Sequence, residues 1–138
     1  MAKTVKIAII DDDRAMREAI KTLVETVGLC AEGFSSAEEF LSSQHVQDSQ
    51  CLILDVRMPG MNGFELQRRL AKDNCRIPII LITAYYSDPE RARAIEVGAV
   101  DFLQKPFREQ DLFNAIQSAL STYSSSTALV LYDQPIIY

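Results

Sequence analysis

The stretch "KIAIIDDDRAMR", residues 6–17, runs a short apolar segment straight into Asp11, Asp12 and Asp13. Like charges a few ångströms apart repel, and the repulsion grows as the local dielectric falls. A further acid, Asp55, ends the apolar run "CLIL", where a carboxylate has few structural reasons to stand. Thr83 follows "IPIILI" and Lys105 follows "DFLQ". Asp11, Asp12 and Asp55 together carry −3, and Lys105 returns +1. One divalent cation would neutralise the remaining −2. Carboxylate oxygens select hard ions, and an open cleft with few ligands suits Mg²⁺, which keeps several of its waters. A calcium loop fits less well, because the spaced D-x-D-x-D-G pattern with a distal Glu is missing. A carboxylate in such a setting can attack phosphorus, while a lysine and a hydroxyl spread the transition-state charge. Asp13 reads more simply, as a helix N-cap or first-turn acid.

These residues act together only if the fold gathers them. Five short apolar runs, Val5–Ile10, Cys30–Phe34, Cys51–Leu54, Ile77–Ile82 and Asp101–Gln104, alternate with five helical patterns. "KIAII", "CLIL" and "IPIILI" are almost continuously apolar, as strands covered on both faces should be. Met16, Ile20, Leu23 and Val27 line a face of the first helix; Phe64, Leu66 and Leu70 suggest the third. Leu112, Phe113, Ile116 and Leu120 mark the fifth. Gly28 and Gly98 punctuate helix ends, and "SSAEEF" is a capping-box-like start for the second helix. Strict β-α alternation predicts an α/β fold, a parallel sheet wrapped by helices on both faces. Functional groups in such folds collect just beyond the carboxyl ends of the strands. Asp11, Asp12, Asp55, Thr83 and Lys105 all fall at those ends.

Composition narrows the function classes. At 138 residues the chain is long enough for one well-cored domain, and 48% hydrophobic with 24% charged residues is a soluble balance. No stretch approaches the roughly 20 apolar residues of a membrane helix. The first apolar run stops at Asp11, too early for a signal peptide. A net charge of −5 argues against this chain gripping nucleic acid itself. Cys30, Cys51 and Cys75 lack metal-ligand spacing; Cys51 reads as a small core residue, consistent with a reducing cytoplasm.

From about Lys3 to Thr122 the chain closely resembles the receiver domain of two-component response regulators. The stretches "IIDDDRAMR", "LILDVRMPGMNGFEL", "IPIILITAY" and "GAVDFLQKPF" carry the resemblance. Its style is most similar to nitrogen-fixation-type transcriptional regulators, where "SAEEFL" and "GAVDFLQKPF" recur. The resemblance implies a doubly wound, flavodoxin-like, five-stranded parallel sheet of order 2-1-3-4-5 with five helices. It implies that Asp55 is the phosphoacceptor for a sensor histidine kinase. Mg²⁺ would be held by Asp12, Asp55 and the backbone carbonyl of Arg57, with Asp11 acting through water. Lys105 and Thr83 would contact the phosphoryl group, and Thr83 and Phe102 would form a switch pair. Arg57 and Tyr85, two positions beyond Asp55 and Thr83, would modulate the lifetime of the phosphorylated state. Phosphorylation would pull Thr83 inward and let Phe102 rotate in from outside. That would reshape the face of helix four, strand five and helix five, a homodimer surface carrying Ile95 and Phe102. The resemblance implies a cytoplasmic signalling domain that catalyses only its own phosphotransfer and slow autodephosphorylation, with no membrane or direct nucleic-acid partner. Lys105–Pro106 is an expected cis peptide, since proline lowers the cis penalty.

A rival reading is a haloacid-dehalogenase-type phosphatase, with Asp11 as nucleophile, Asp13 as general acid and Thr83 and Lys105 in support. It leaves Asp55 without a role and lacks a late acidic pair. The residues 123–138, "YSSSTALVLYDQPIIY", read as a linker or tail, too short for a helix-turn-helix effector domain.

Overall fold

Ile7 and Ile9 of the first strand pack to one side of the sheet, while Ala8 and Ile10 pack to the other. The same alternation separates Ile53 from Leu52 and Leu54, and Ile80 and Ile82 from Ile79 and Leu81. The period of two in a strand thus builds two apolar layers from continuous apolar runs. In the computed structural model, which describes residues 5–123, the strands are β1 (Lys6–Ile10), β2 (Cys30–Phe34), β3 (Cys51–Asp55), β4 (Ile79–Thr83) and β5 (Asp101–Gln104). They form one sheet in the order β2-β1-β3-β4-β5, and every pairing is parallel. The expected flavodoxin-like order therefore holds.

Six helices connect and cover the strands: α1 (Arg14–Thr26), α2 (Ala37–Ser42), α3 (His45–Asp48), α4 (Gly63–Lys72), α5 (Asp88–Glu96) and α6 (Glu109–Tyr123). Sequence periodicity predicts five. The extra one is α3, a single turn too short to show a helical period. Helices α1 and α6 supply Ile20, Val24, Leu112 and Ile116 to one layer. Ala37 and Phe40 of α2, Phe64, Leu66 and Leu70 of α4, and Ala94 of α5 fill the other. The face called helix four, strand five and helix five in the sequence reading is α5, β5 and α6 here. No helix among the described residues is long and apolar enough to cross a membrane. The expected linker or tail lies outside the described residues, except for Tyr123, the last residue of α6.

Local signals explain most helix ends. Asp13 caps α1, its Oδ1 accepting from the Met16 N–H at 3.3 Å, as the N-cap reading expected. Val27 corrects the expected apolar face of α1. The helix ends at Thr26, Gly28 takes the left-handed φ of 86° that glycine adopts without steric cost, and Val27 is left 52% exposed. Val24 fills the layer instead. At α2, Ser36 accepts from the Glu39 N–H, but Glu39 Oε1 reaches back to the Ser35 N–H at 2.6 Å, one residue beyond the cap. The full reciprocal box is at α4, between Asn62 and Glu65. Cys51 is buried in β3, and burial pushes its thiol up to about 12, so it behaves as a core side chain. The Lys105–Pro106 peptide is cis, as expected.

Candidate functional site

The chain leaves β1 towards β2 and leaves β3 towards β4, in opposite directions, so the sheet order reverses between β1 and β3. Asp11 and Asp12 follow β1 and Asp55 ends β3, at the carboxyl edge where such sheets bind their ligands. One carboxylate oxygen from each lies within 4.8 Å of the others. Asp11 and Asp55 are buried and Asp12 is exposed. Lys105, carried one residue past β5, bridges the buried pair. Its Nζ donates to Asp11 Oδ2 at 2.9 Å and to Asp55 Oδ2 at 3.3 Å.

The remaining lone pairs are partly used. Asp11 Oδ1 accepts from the Asp13 N–H at 2.9 Å, and Asp55 Oδ1 accepts from the Arg57 N–H at 3.2 Å. Arg17 Nη1 donates to the Asp11 backbone carbonyl at 2.7 Å, tying the first turns of α1 to the end of β1. These contacts do not balance the site. Burial, and then the charge of Asp11, pushes Asp55 up to about 6, although Lys105 and the Arg57 N–H pull it down. Burial alone would depress the Lys105 ammonium; its hydrogen bond to Asp11 and the charges of both aspartates hold it above its ordinary value. An excess of negative charge with hard oxygen donors fits a divalent ion such as Mg²⁺.

Thr83 ends β4, fully buried, and its Oγ1 accepts from the Tyr85 N–H at 3.0 Å. Its carbonyl accepts from the Lys105 N–H at 2.7 Å, which fixes the lysine's strand beside the hydroxyl. Phe102 corrects the sequence picture. The residue is 4% exposed and already inside, in the layer shared with Leu81 and Ala94. Tyr86 covers it with ring centroids 5.6 Å apart. Burial of the ring removes it from the outer face, where Ile95 and Val97 remain exposed. Arg57 and Tyr85 are brought together: the guanidinium sits 5.2 Å from the tyrosine ring centroid, with both side chains open to solvent.

Two residues escaped the sequence reading. Glu90 of α5 binds Arg57, with Oε2 2.7 Å from Nη2. Glu38 of α2 accepts from the Met61 N–H at 3.0 Å. They hold opposite ends of the loop between β3 and α4. Each sits in the first turn of a helix, where an acid is ordinary, so nothing in the sequence singles it out. Gly63 completes the loop. Its N–H donates to the Val56 carbonyl at 2.9 Å, and a Cβ there would stand 2.7 Å from the Asp55 carbonyl oxygen.

The chain resembles known proteins over most of its length. The family described as "Response regulator receiver domain" matches residues 7–117. The response regulator protein TmoT of Ectopseudomonas mendocina is 49% identical over 114 residues, which are 83% of this chain and 52% of that protein. The chain thus spans about half the length of the curated relatives it matches. The structure of the response regulator StyR superposes with a TM-score of 0.83 at 38% identity, covering 96% of this chain and 67% of that one. The crystal structure of FixJ-N gives 0.78 at 33% identity, with 87% and 96% covered. Since the family match takes in β2 to β5, all of β1 but Lys6, and every aspartate of the rim, the chain belongs to the response regulator receiver domains, in the style shared with transcriptional regulators such as FixJ.

Proposed function

We propose that this receiver accepts a phosphoryl group on Asp55 from a sensor histidine kinase and so controls a transcription output. The observation that carries the reading is the pairing of Asp55 with Asp11 across Lys105 at the sheet's switch point. Asp12, Asp55 and the Arg57 carbonyl would hold Mg²⁺, with Asp11 acting through water. The bound ion would neutralise the excess charge and stabilise the charge that develops on the transferring phosphoryl oxygens.

The chain's own groups do the rest. An oxygen of Asp55 attacks phosphorus while the bond to the donor's leaving atom breaks. Lys105, already 3.3 Å from Asp55 Oδ2, is placed to meet the new phosphoryl oxygens. Thr83 would turn its hydroxyl proton inward and donate it to the phosphoryl group. With Phe102 already inside, that shift tightens a packed arrangement rather than drawing a ring in from solvent. The responding surface is then α5, β5 and α6, with Tyr85 exposed before α5, Ile95 on it and Val97 at its C-cap. A phosphorylation-dependent homodimer through this face follows from the reading, and the free cysteines suit the cytoplasm.

The phosphatase reading loses its second residue, because Asp13 is an exposed helix cap rather than a general acid beside the cluster. The test is to incubate the protein with Mg²⁺ and acetyl phosphate and locate the modified residue by mass spectrometry. Modification of Asp55 is the expected outcome. Modification of Asp11, or of neither, defeats the reading.

A further inference from the structure

Three helices of this chain carry glutamate at the third helical position, and the three are used differently. Glu65 of α4 closes its own capping box, accepting from the Asn62 N–H at 2.9 Å. Glu39 of α2 also turns back, onto the Ser35 N–H. Glu90 of α5 does not. Ser87 caps that helix by accepting from the Glu90 N–H at 3.2 Å, but the glutamate carboxylate leaves the helix end and crosses to Arg57. Its second oxygen, Oε1, is fully buried and accepts no hydrogen bond among the described residues. A buried acceptor without a partner costs free energy, so capping does not account for this choice. Nor does a cation on its own helix hold it. Arg93, one turn along the same helix, sits over the Phe64 ring at 4.2 Å from its centroid. Glu90 takes instead the cation that stands two residues after Asp55.

We propose that Glu90 is a positioning residue that competes with the phosphoryl group for Arg57 and thereby shortens the life of the phosphorylated state. This rests on Asp55 being the phosphoacceptor. The Arg57 N–H already touches Asp55 Oδ1, so its side chain starts within one residue's reach of a phosphoryl group there. In the present arrangement that side chain is held away, on Glu90 Oε2 and the face of Tyr85. It borders an open groove of about 510 Å³, which lets the guanidinium leave without displacing packed groups. The planar fork of arginine binds a phosphoryl group or a carboxylate equally well in geometry, so the two anions draw on the same donor. When Arg57 covers the phosphoryl group, water reaches phosphorus less often. When Glu90 holds it, water attacks phosphorus, the bond from phosphorus to the Asp55 oxygen breaks, inorganic phosphate leaves, and the surplus proton goes to solvent.

The test compares the wild type, Glu90→Gln, Arg57→Ala and the double variant. Each is loaded with acetyl phosphate and Mg²⁺, freed of donor, and followed by mass spectrometry of the Asp55 peptide. Glu90→Gln keeps the shape and removes the charge. It should lengthen the phosphorylated half-life about two- to fivefold, the range a half-exposed ion pair supplies. In the Arg57→Ala background the same substitution should change nothing, because the competing cation is gone. Glu90→Asp, which restores the charge, should lie closer to wild type than to Glu90→Gln. An unchanged or shortened half-life in Glu90→Gln overturns the proposal, as does a lengthening that persists without Arg57. A wild-type protein that takes no phosphate on Asp55 overturns the underlying reading before any Glu90 variant is measured.

Discussion

Leu54 and Asp55 are chain neighbours on the same strand, at 0% and 5% exposure. Leu54 lies in a layer with Phe34, Phe40, Leu81 and Phe102, where every contact gains from leaving water. Asp55, one residue further along, faces another buried carboxylate and shares a single lysine with it. Equal burial thus has opposite consequences. The middle of the sheet stabilises the fold, while its carboxyl rim stores repulsion that a cation or a bound proton relieves. The rim can be tense because the layers behind it are not.

Substitutions should separate these two regions sharply. Leu54→Ala removes buried methyl groups from a filled layer and should cost roughly 2–5 kcal/mol in urea unfolding, with or without Mg²⁺. Lys105→Met leaves Asp11 and Asp55 facing each other without their shared cation. It should cost about 2–4 kcal/mol in chelator, and added Mg²⁺ should recover part of that loss. A cost indifferent to Mg²⁺ would mean that the lysine matters for packing rather than charge.

Asp55→Asn should act in the opposite direction. At pH 7 without metal it should stabilise the protein by roughly 1–2 kcal/mol, a discounted conversion of the raised pKa. The sign follows from the proton count. Folding raises the Asp55 pKa from 3.8 to about 6, so between those values the folded state holds the proton more tightly than the unfolded one. The Asp55 contribution therefore improves as pH falls from 7 towards 4. The advantage of Asp55→Asn over wild type should shrink across that window, measured in chelator by paired denaturation curves. A constant advantage would show that the rim is not strained by charge. Mg²⁺ affinity, followed by melting temperature against ion concentration, should fall over the same interval as protons compete for Asp55. Asp12→Ala should give the smallest gain in chelator, less than Asp55→Asn, because Asp12 is exposed to water.

The layers and the rim were not equally legible in the sequence. The continuous apolar runs and their alternation with helical periods locate all five strands to within two residues, because a doubly covered parallel strand leaves a strong signal. The rim aspartates, Thr83 and Lys105 are visible because chemistry-bearing residues follow such runs directly. The inward position of Phe102 was not legible, since an aromatic on a short edge strand is compatible with either face. Nor was the exposure of Val27, which turns on ending a helix one residue earlier. Glu38 and Glu90 stay hidden for another reason: an acid in a first turn usually serves its own helix, and only distance in space shows that these two serve the loop between them.

Gly63 limits how that loop can be redesigned. A single added carbon there collides with the carbonyl of Asp55 and the Cα of Val56. Screens for signalling domains with slower or faster clocks can therefore vary the solvent-facing positions 57 and 85 freely. A randomised codon at position 63 should return one amino acid, and any loop grafted from another receiver must arrive with that small residue already in place.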